Sequence, residues 1–207
     1  MAAKLKEYPE LTLTPEKSES TLDFEDIFGR TAAVHIEIGS GKGTFLLNQA
    51  KALPQTDFIG IEWAQKYCRH AIDRLGRWGI KNVRLIRTDA ADFLRYITDG
   101  SVDCFHIYFP DPWPKKKHHK RRFLNSENFD QLLRCLKPAG IIKFATDHAD
   151  YFEQVKKVVA EKSERVEVIE FTPAAGTEEG EITGTNYERK YIKDKRNTQA
   201  IAVRKLL

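Results

Sequence analysis

Four carboxylates stand at or just after the ends of short apolar runs: Glu37 in AVHIEI, Glu62 in DFIGIE, Asp89 after VRLIR and Asp111 after VDCFHIYF. The first run leads into Glu37-Ile38-Gly39-Ser40-Gly41-Lys42-Gly43-Thr44, three glycines at alternate positions, which let a backbone turn tightly and lie against a ligand. A phosphate-cradling P-loop would need G-x-x-x-x-G-K-[ST], and Lys42 is followed by Gly43, so that chemistry fails. A dinucleotide fingerprint G-x-G-x-x-G wants glycine where Thr44 stands. Glu62, a short helical span beyond Gly43, has the spacing of an acid that accepts from both hydroxyls of a ribose, which favours an adenosine ligand. By local rules Asp89 is a helix N-cap for AADFLRYI, and its position after the third of three successive strands adds the ligand reading.

The fourth run ends in Tyr108-Phe109-Pro110-Asp111-Pro112-Trp113-Pro114, where three alternating prolines fix φ and hold Asp111 and Trp113 on a stiff loop. A basic run follows at once: Lys115 to Arg122 (KKKHHKRR) holds six of the chain's 34 Lys and Arg and no acid. The net charge of +4 is thus local, which points to a patch for a polyanion. After GIIKFAT, Thr146 has the position of an N-cap, and Asp147 is either a cap or a ligand contact. Thr185-Asn186-Tyr187-Glu188 has the T-x-x-E spacing of a capping box. Cys68, Cys104 and Cys135 are widely spaced, form no C-x-x-C pair and read as small core hydrophobes, with no metal implied.

These residues need a scaffold that gathers strand ends. Apolar runs at 33–38, 57–62, 83–87, 102–109, 140–146, 165–171 and 199–204 alternate with amphipathic helical patterns, which predicts an α/β fold with a doubly wound, mostly parallel seven-stranded sheet. The seventh run follows a long polar connection and is expected to be antiparallel. In such a sheet ligands sit at the carboxyl ends of the strands. Residues 1–30, with seven acids against four Lys and Arg and no sustained period, read as an arm or lid; residues 31–207 read as one domain. The length of 207 residues suits a single domain, and no apolar run approaches the ~20 residues of a membrane span, so a soluble, cytoplasmic protein without membrane partners is expected. Monomer and homodimer are equally compatible with the sequence.

Together, E-I-G-S-G-K-G (37–43), Glu62, Asp89, P-D-P-W-P-K-K-K-H-H-K-R-R (110–122), T-D-H (146–148) and G-T-N-Y-E-R-K (184–190) closely resemble the bacterial tRNA (guanine-N7-)-methyltransferases, from about Phe24 onward. The resemblance implies a Rossmann-like methyltransferase sheet with an antiparallel last pair, S-adenosylmethionine as cofactor and tRNA as partner, with methylation of guanine N7 at position 46 of the variable loop. It makes Glu37, Gly39, Gly41, Gly43, Glu62, Asp89 and Asp111 cofactor contacts, with Asp111 also the catalytic candidate. It makes Lys115, Asp147, Thr185, Asn186, Tyr187 and Glu188 substrate contacts, and sets Lys117, His118, His119, Lys120, Arg121 and Arg122 against RNA. A sulfonium, an ammonium and a ribose diol are the complement of clustered carboxylates, whereas a pyrophosphate would be repelled. An NAD-dependent oxidoreductase would share the glycine loop and Glu62 but not the basic run; a non-catalytic RNA-binding domain on the same fold would leave the acids unexplained.

Overall fold

The computed structural model describes residues 5–14 and 21–206; residues 1–4, 15–20 and 207, which include parts of the expected arm, lie outside the described residues. Seven strands form one sheet in the order β3-β2-β1-β4-β5-β7-β6. They are β1 (Ala33–Ile38), β2 (Thr56–Ile61), β3 (Val83–Ile86), β4 (Val102–Tyr108), β5 (Leu136–Thr146), β6 (Val166–Ile169) and β7 (Gln199–Lys205). The first five pair parallel, and β7 runs antiparallel between β5 and β6. The expected antiparallel pair is thus a single reversed strand inserted beside β5, with β6 at the outer edge. β5 begins four residues earlier than the 140–146 run predicts, because Leu136 already pairs with Val102 before the register shifts.

Helices lie on both faces: α1 (Phe24–Phe28), α2 (Thr44–Ala52), α3 (Gln65–Arg77), α4 (Ala90–Leu94), α5 (Ser126–Cys135), α6 (Ala149–Glu161) and α7 (Asn186–Lys193). Cys68, Ala71 and Leu75 recur at helical spacing along α3 and form its buried stripe. One core packs Val34, Ile36, Ile38, Phe105 and Ile107 against α5 and α6 residues such as Phe129, Leu132 and Tyr151. The other packs Phe58, Leu85 and Tyr108 against Phe45 and Leu46 of α2 and Ala71 and Leu75 of α3. Burying each large side chain contributes roughly 1.5–3 kcal/mol. The strand pleat leaves His35, Glu37, Cys104, His106 and Lys143 on that second face, a polar file running through the middle of the sheet.

The described N-terminal residues take their structure from this body. Leu11, in a short 3₁₀ turn at Pro9–Leu11, is almost fully buried, and the Leu13 amide donates to the Leu85 carbonyl at 2.8 Å. The Leu22 amide likewise donates to the Tyr96 carbonyl at 2.7 Å. No helix among the described residues is long and apolar enough to cross a membrane.

Candidate functional site

The glycine turn after β1 is built by left-handed backbone. Gly39, Gly41 and Gly43 have φ of 83°, 53° and 68°, a region that L side chains rarely adopt. A Cβ on Gly43 would also stand 2.9 Å from that of Ala71, so this glycine lets α2 start against α3. The Glu62 carboxylate locks the turn to the end of β2: it accepts from the Gly41 amide at 2.8 Å and from the Ala64 amide at 2.7 Å. The Glu62 side chain also lines the adjoining cavity.

That cavity, about 590 Å³, lies at the carboxyl ends of β1 to β4 and is lined by Gly39, Gly41, Glu62, Asp89, Asp111 and Trp113, among others. It adjoins a smaller one of about 230 Å³ lined by Glu37, Gly39, Gly41, Thr185, Asn186 and Tyr187. Tyr67, Tyr108 and Tyr187 line both. The four strand-end acids therefore converge, Glu37 in the inner chamber and the other three in the outer. Glu37 is buried and its Oε2 has no hydrogen-bond partner. Burial first, and the Glu62 charge second, hold its carboxyl well above the ordinary value of 4.5. Asp89 does cap α4, accepting from the Ala91 and Asp92 amides at 2.8 and 3.3 Å, while remaining exposed to the cavity.

Asp111 stands exposed on the 109–115 loop, which has no regular structure and turns through left-handed backbone at Phe109 (φ 51°) and Trp113 (φ 43°). Non-glycine residues hold such φ values only where the surroundings fix them. The Phe109 amide donates to the Ala145 carbonyl at 2.8 Å, and beyond Asp111 the fixing group is Arg122. Read in sequence as the end of a phosphate-binding run, it is turned inward and 1% exposed. Its Nε donates to the Pro112 carbonyl at 2.8 Å, Nη1 to Gln154 at 2.9 Å and Nη2 to Asp150 at 2.6 Å, with the guanidinium stacked on Tyr151. Arg122 is thus unavailable to a phosphate. Lys115, Lys117, Lys120 and Arg121 are exposed, on or beside a 3₁₀ turn at Lys116–Arg121. Arg121 lies over the Trp113 ring, His118 meets that ring edge-on, and His119 sits 3.4 Å from Asp150. Of the run, Lys120, Arg121 and Arg122 border the outer cavity.

Two local expectations are corrected nearby. Thr146 does not cap α6: His148 does, through Nδ1, and Thr146 Oγ1 accepts from the His148 amide instead. Asp147 pairs with Arg196 at 2.9 Å, outside both cavities. Thr185 does cap α7 by accepting from the Glu188 amide, but the box is half made. Glu188, 2% exposed, accepts from the amides of Ile182, Thr183 and Gly184 and from the Thr183 hydroxyl. Its oxygens shape the loop rather than face a ligand, and the loop presents Thr185, Asn186 and Tyr187 to the inner chamber.

Sequence reasoning missed Tyr108 and Tyr67 as shared walls. The signal for Tyr108 was its place at a strand end in the same alternation as His106; Tyr67 carried none, since an aromatic on an amphipathic helix reads as packing.

Residues 31–201 match the model of a family described as "Putative methyltransferase". A tRNA (guanine-N(7)-)-methyltransferase of Rhodopirellula baltica is 39% identical over 171 residues, 77% of this chain, and the match spans 63% of the relative's own length. One from Streptococcus pneumoniae (strain CGSP14) is 33% identical over 173 residues, 84% of this chain and 82% of that protein. Among solved structures, precorrin-6y C5,15-methyltransferase from Geobacter metallireducens GS-15 superposes with a TM-score of 0.57 at 17% identity, covering 86% of this chain and 82% of that one, a likeness of fold. With the glycine turn, the convergent acids and the stapled basic loop in place, the chain belongs to the tRNA (guanine-N(7)-)-methyltransferase family.

Proposed function

We propose that this chain transfers the methyl group of S-adenosylmethionine to N7 of guanine 46 in the variable loop of tRNA. The observation that carries the reading is the convergence of Glu37, Glu62, Asp89 and Asp111 on two joined cavities bordered by a basic run. The cavities fit that cofactor: the unpartnered Glu37 carboxyl is the complement of an ammonium, and Glu62, in the wall of the outer cavity, that of a ribose diol. When bound, S-adenosylmethionine supplies an electrophilic methyl on a sulfonium sulfur.

Gly39, Gly41 and Gly43 let the backbone lie close to the ligand, Glu37 holds its amino-acid end, Glu62 holds its ribose, and Asp89 bounds the nucleoside side. Guanine N7 carries an in-plane lone pair and no proton, so no general base is required. Asp111 orients the guanine through its N1–H and N2–H₂ edge and offsets the positive charge that N7 acquires, while Thr185, Asn186 and Tyr187 close the opposite wall. Lys115 and Asp147 act on substrate at the periphery, and Lys117, His118, His119, Lys120 and Arg121 face the tRNA backbone. Arg122 and Glu188 act through the loops that they hold. Residues 31–207 work as one domain with 1–30 as an N-terminal arm, and the protein works in the cytoplasm.

The test is incubation of purified protein with methyl-labelled S-adenosylmethionine and unmodified tRNA, followed by nucleoside analysis. Label in 7-methylguanosine, lost when guanine 46 is replaced, is the expected result. Label in another nucleoside, or none, would overturn the reading.

A further inference from the structure

The polar file on the α2/α3 face holds a group that the methyl-transfer site does not use. β1 and β4 pair His35 with Cys104 and Glu37 with His106, and the pleat puts His35, Cys104 and His106 on one face. Their side-chain ligand atoms all lie within 4.8 Å of one another. His106 Nε2 is 3.2 Å from His35 Nδ1, and His106 Nδ1 is 2.9 Å from the Tyr108 hydroxyl. Cys104 and His106 are buried and His35 is half-buried. All three line a cavity of about 400 Å³, separate from the cofactor chambers, together with Gln49, Asp103 and Lys143.

We propose that His35, Cys104 and His106 bind a divalent ion of the zinc class. Two imidazole nitrogens each about 2.0–2.1 Å from a tetrahedral ion lie roughly 3.3–3.4 Å apart, close to the spacing found between the two rings. Imidazole and thiolate together select zinc over magnesium or calcium. The Tyr108 hydroxyl occupies Nδ1 of His106, which fixes the ring and leaves Nε2 for the metal, as outer partners of metal-binding histidines do. Cys104 would bind as its thiolate, releasing the thiol proton to water, and water from the cavity takes the fourth position. The ion would clamp β1 to β4 directly beneath Tyr108, stabilising the folded state by mass action.

The experiment titrates cobalt(II) into the full-length, chelator-stripped protein and follows absorption. Expected are a thiolate-to-cobalt charge-transfer band and tetrahedral visible bands at one equivalent, displaced by zinc, and a rise in Tm with zinc. Cys104→Ser is expected to lose the charge-transfer band, His35→Gln to lose the zinc-dependent rise in Tm, and Cys135→Ser, remote from the trio, to keep both. A featureless cobalt spectrum with Tm unmoved by zinc would mean that the trio is only a hydrogen-bonded core cluster. A charge-transfer band that survives in Cys104→Ser would place the metal elsewhere. Either result overturns the proposal, whatever the outcome of the methyl-transfer assay.

Discussion

The Arg122 guanidinium donates to the carbonyl of Pro112, the residue after Asp111, and ties the loop that carries this carboxylate to Asp150 and Gln154 of α6. A cation from the basic run thereby sets the backbone of the candidate catalytic loop.

Lysine cannot reproduce the planar fork that serves three acceptors at once. Arg122→Lys is expected to lower kcat/KM by roughly tenfold to a hundredfold through loss of loop position, with the salt dependence of tRNA binding unchanged. Steady-state kinetics and filter binding across a salt series check both; a flattened salt slope would return Arg122 to the phosphate-binding surface.

Lys120 and Arg121 are the exposed cations that adjoin the outer cavity. Replacing both with alanine is expected to reduce the slope of log K against log salt by about 1–2, since each phosphate neutralised contributes about 0.9 for duplex nucleic acid. A slope equal to that of the wild type would reduce the run to a solvated face.

Asp111 is the carboxylate that the stapled loop presents. Asp111→Ala is expected to lower kcat/KM by about 10²–10³ at saturating cofactor, as loss of one preorganised electrostatic group does. Asp111→Asn keeps an acceptor without the charge, so a near-normal Asn variant assigns hydrogen bonding and an inactive one assigns charge. Wild-type turnover by the Ala variant would remove Asp111 from catalysis.

Glu37 gives a pH dependence of defined sign. Its carboxyl binds a proton more readily folded than unfolded, so its contribution to stability is present below the unfolded value of 4.5 and is lost as pH rises toward the folded value. Glu37→Gln, neutral throughout, is expected to have a higher urea midpoint than the wild type at about pH 8, with the difference vanishing near pH 4. Equal midpoints at both would show that the folded carboxyl ionises normally. Calorimetry in buffers of different ionisation enthalpy is expected to show proton release from wild type, and not from Glu37→Gln, when S-adenosylhomocysteine binds.

The sheet was legible because strand-forming runs and helical stripes alternate, and that periodicity reflects burial on both faces. The acids at the strand ends were legible for the same reason, since their positions follow from where each strand stops. Arg122 was not: a basic run reads as solvated, and only the arrival of Asp150, Gln154 and Tyr151 on α6, long-range in sequence, makes an inward path. The α6 cap shifted from Thr146 to His148 because the chain stays extended beyond the strand, a choice that local preference does not decide. The Glu188 carboxylate was expected to turn back on its own cap, yet found three amides of the preceding loop. The described N-terminal residues carry no period because they meet the body at isolated points, Thr12 beside Leu85 of β3 and Leu22 beside Ile97 after α4, rather than as a strand of their own.

The insertion of β7 between β5 and β6 has a consequence for the order in which the molecule is assembled. During synthesis β5 and β6 emerge first, and neither pairs with the other; the free edge of β5 and the inner edge of β6 are closed only by β7, which follows the long 170–198 connection. The growing chain therefore carries the open edge of β5 and a wholly unpaired β6 until that connection has been made, a period in which nascent chains are exposed to one another and to chaperones. The cofactor-facing half, β1 to β4, depends on none of these late pairings and can form ahead of them.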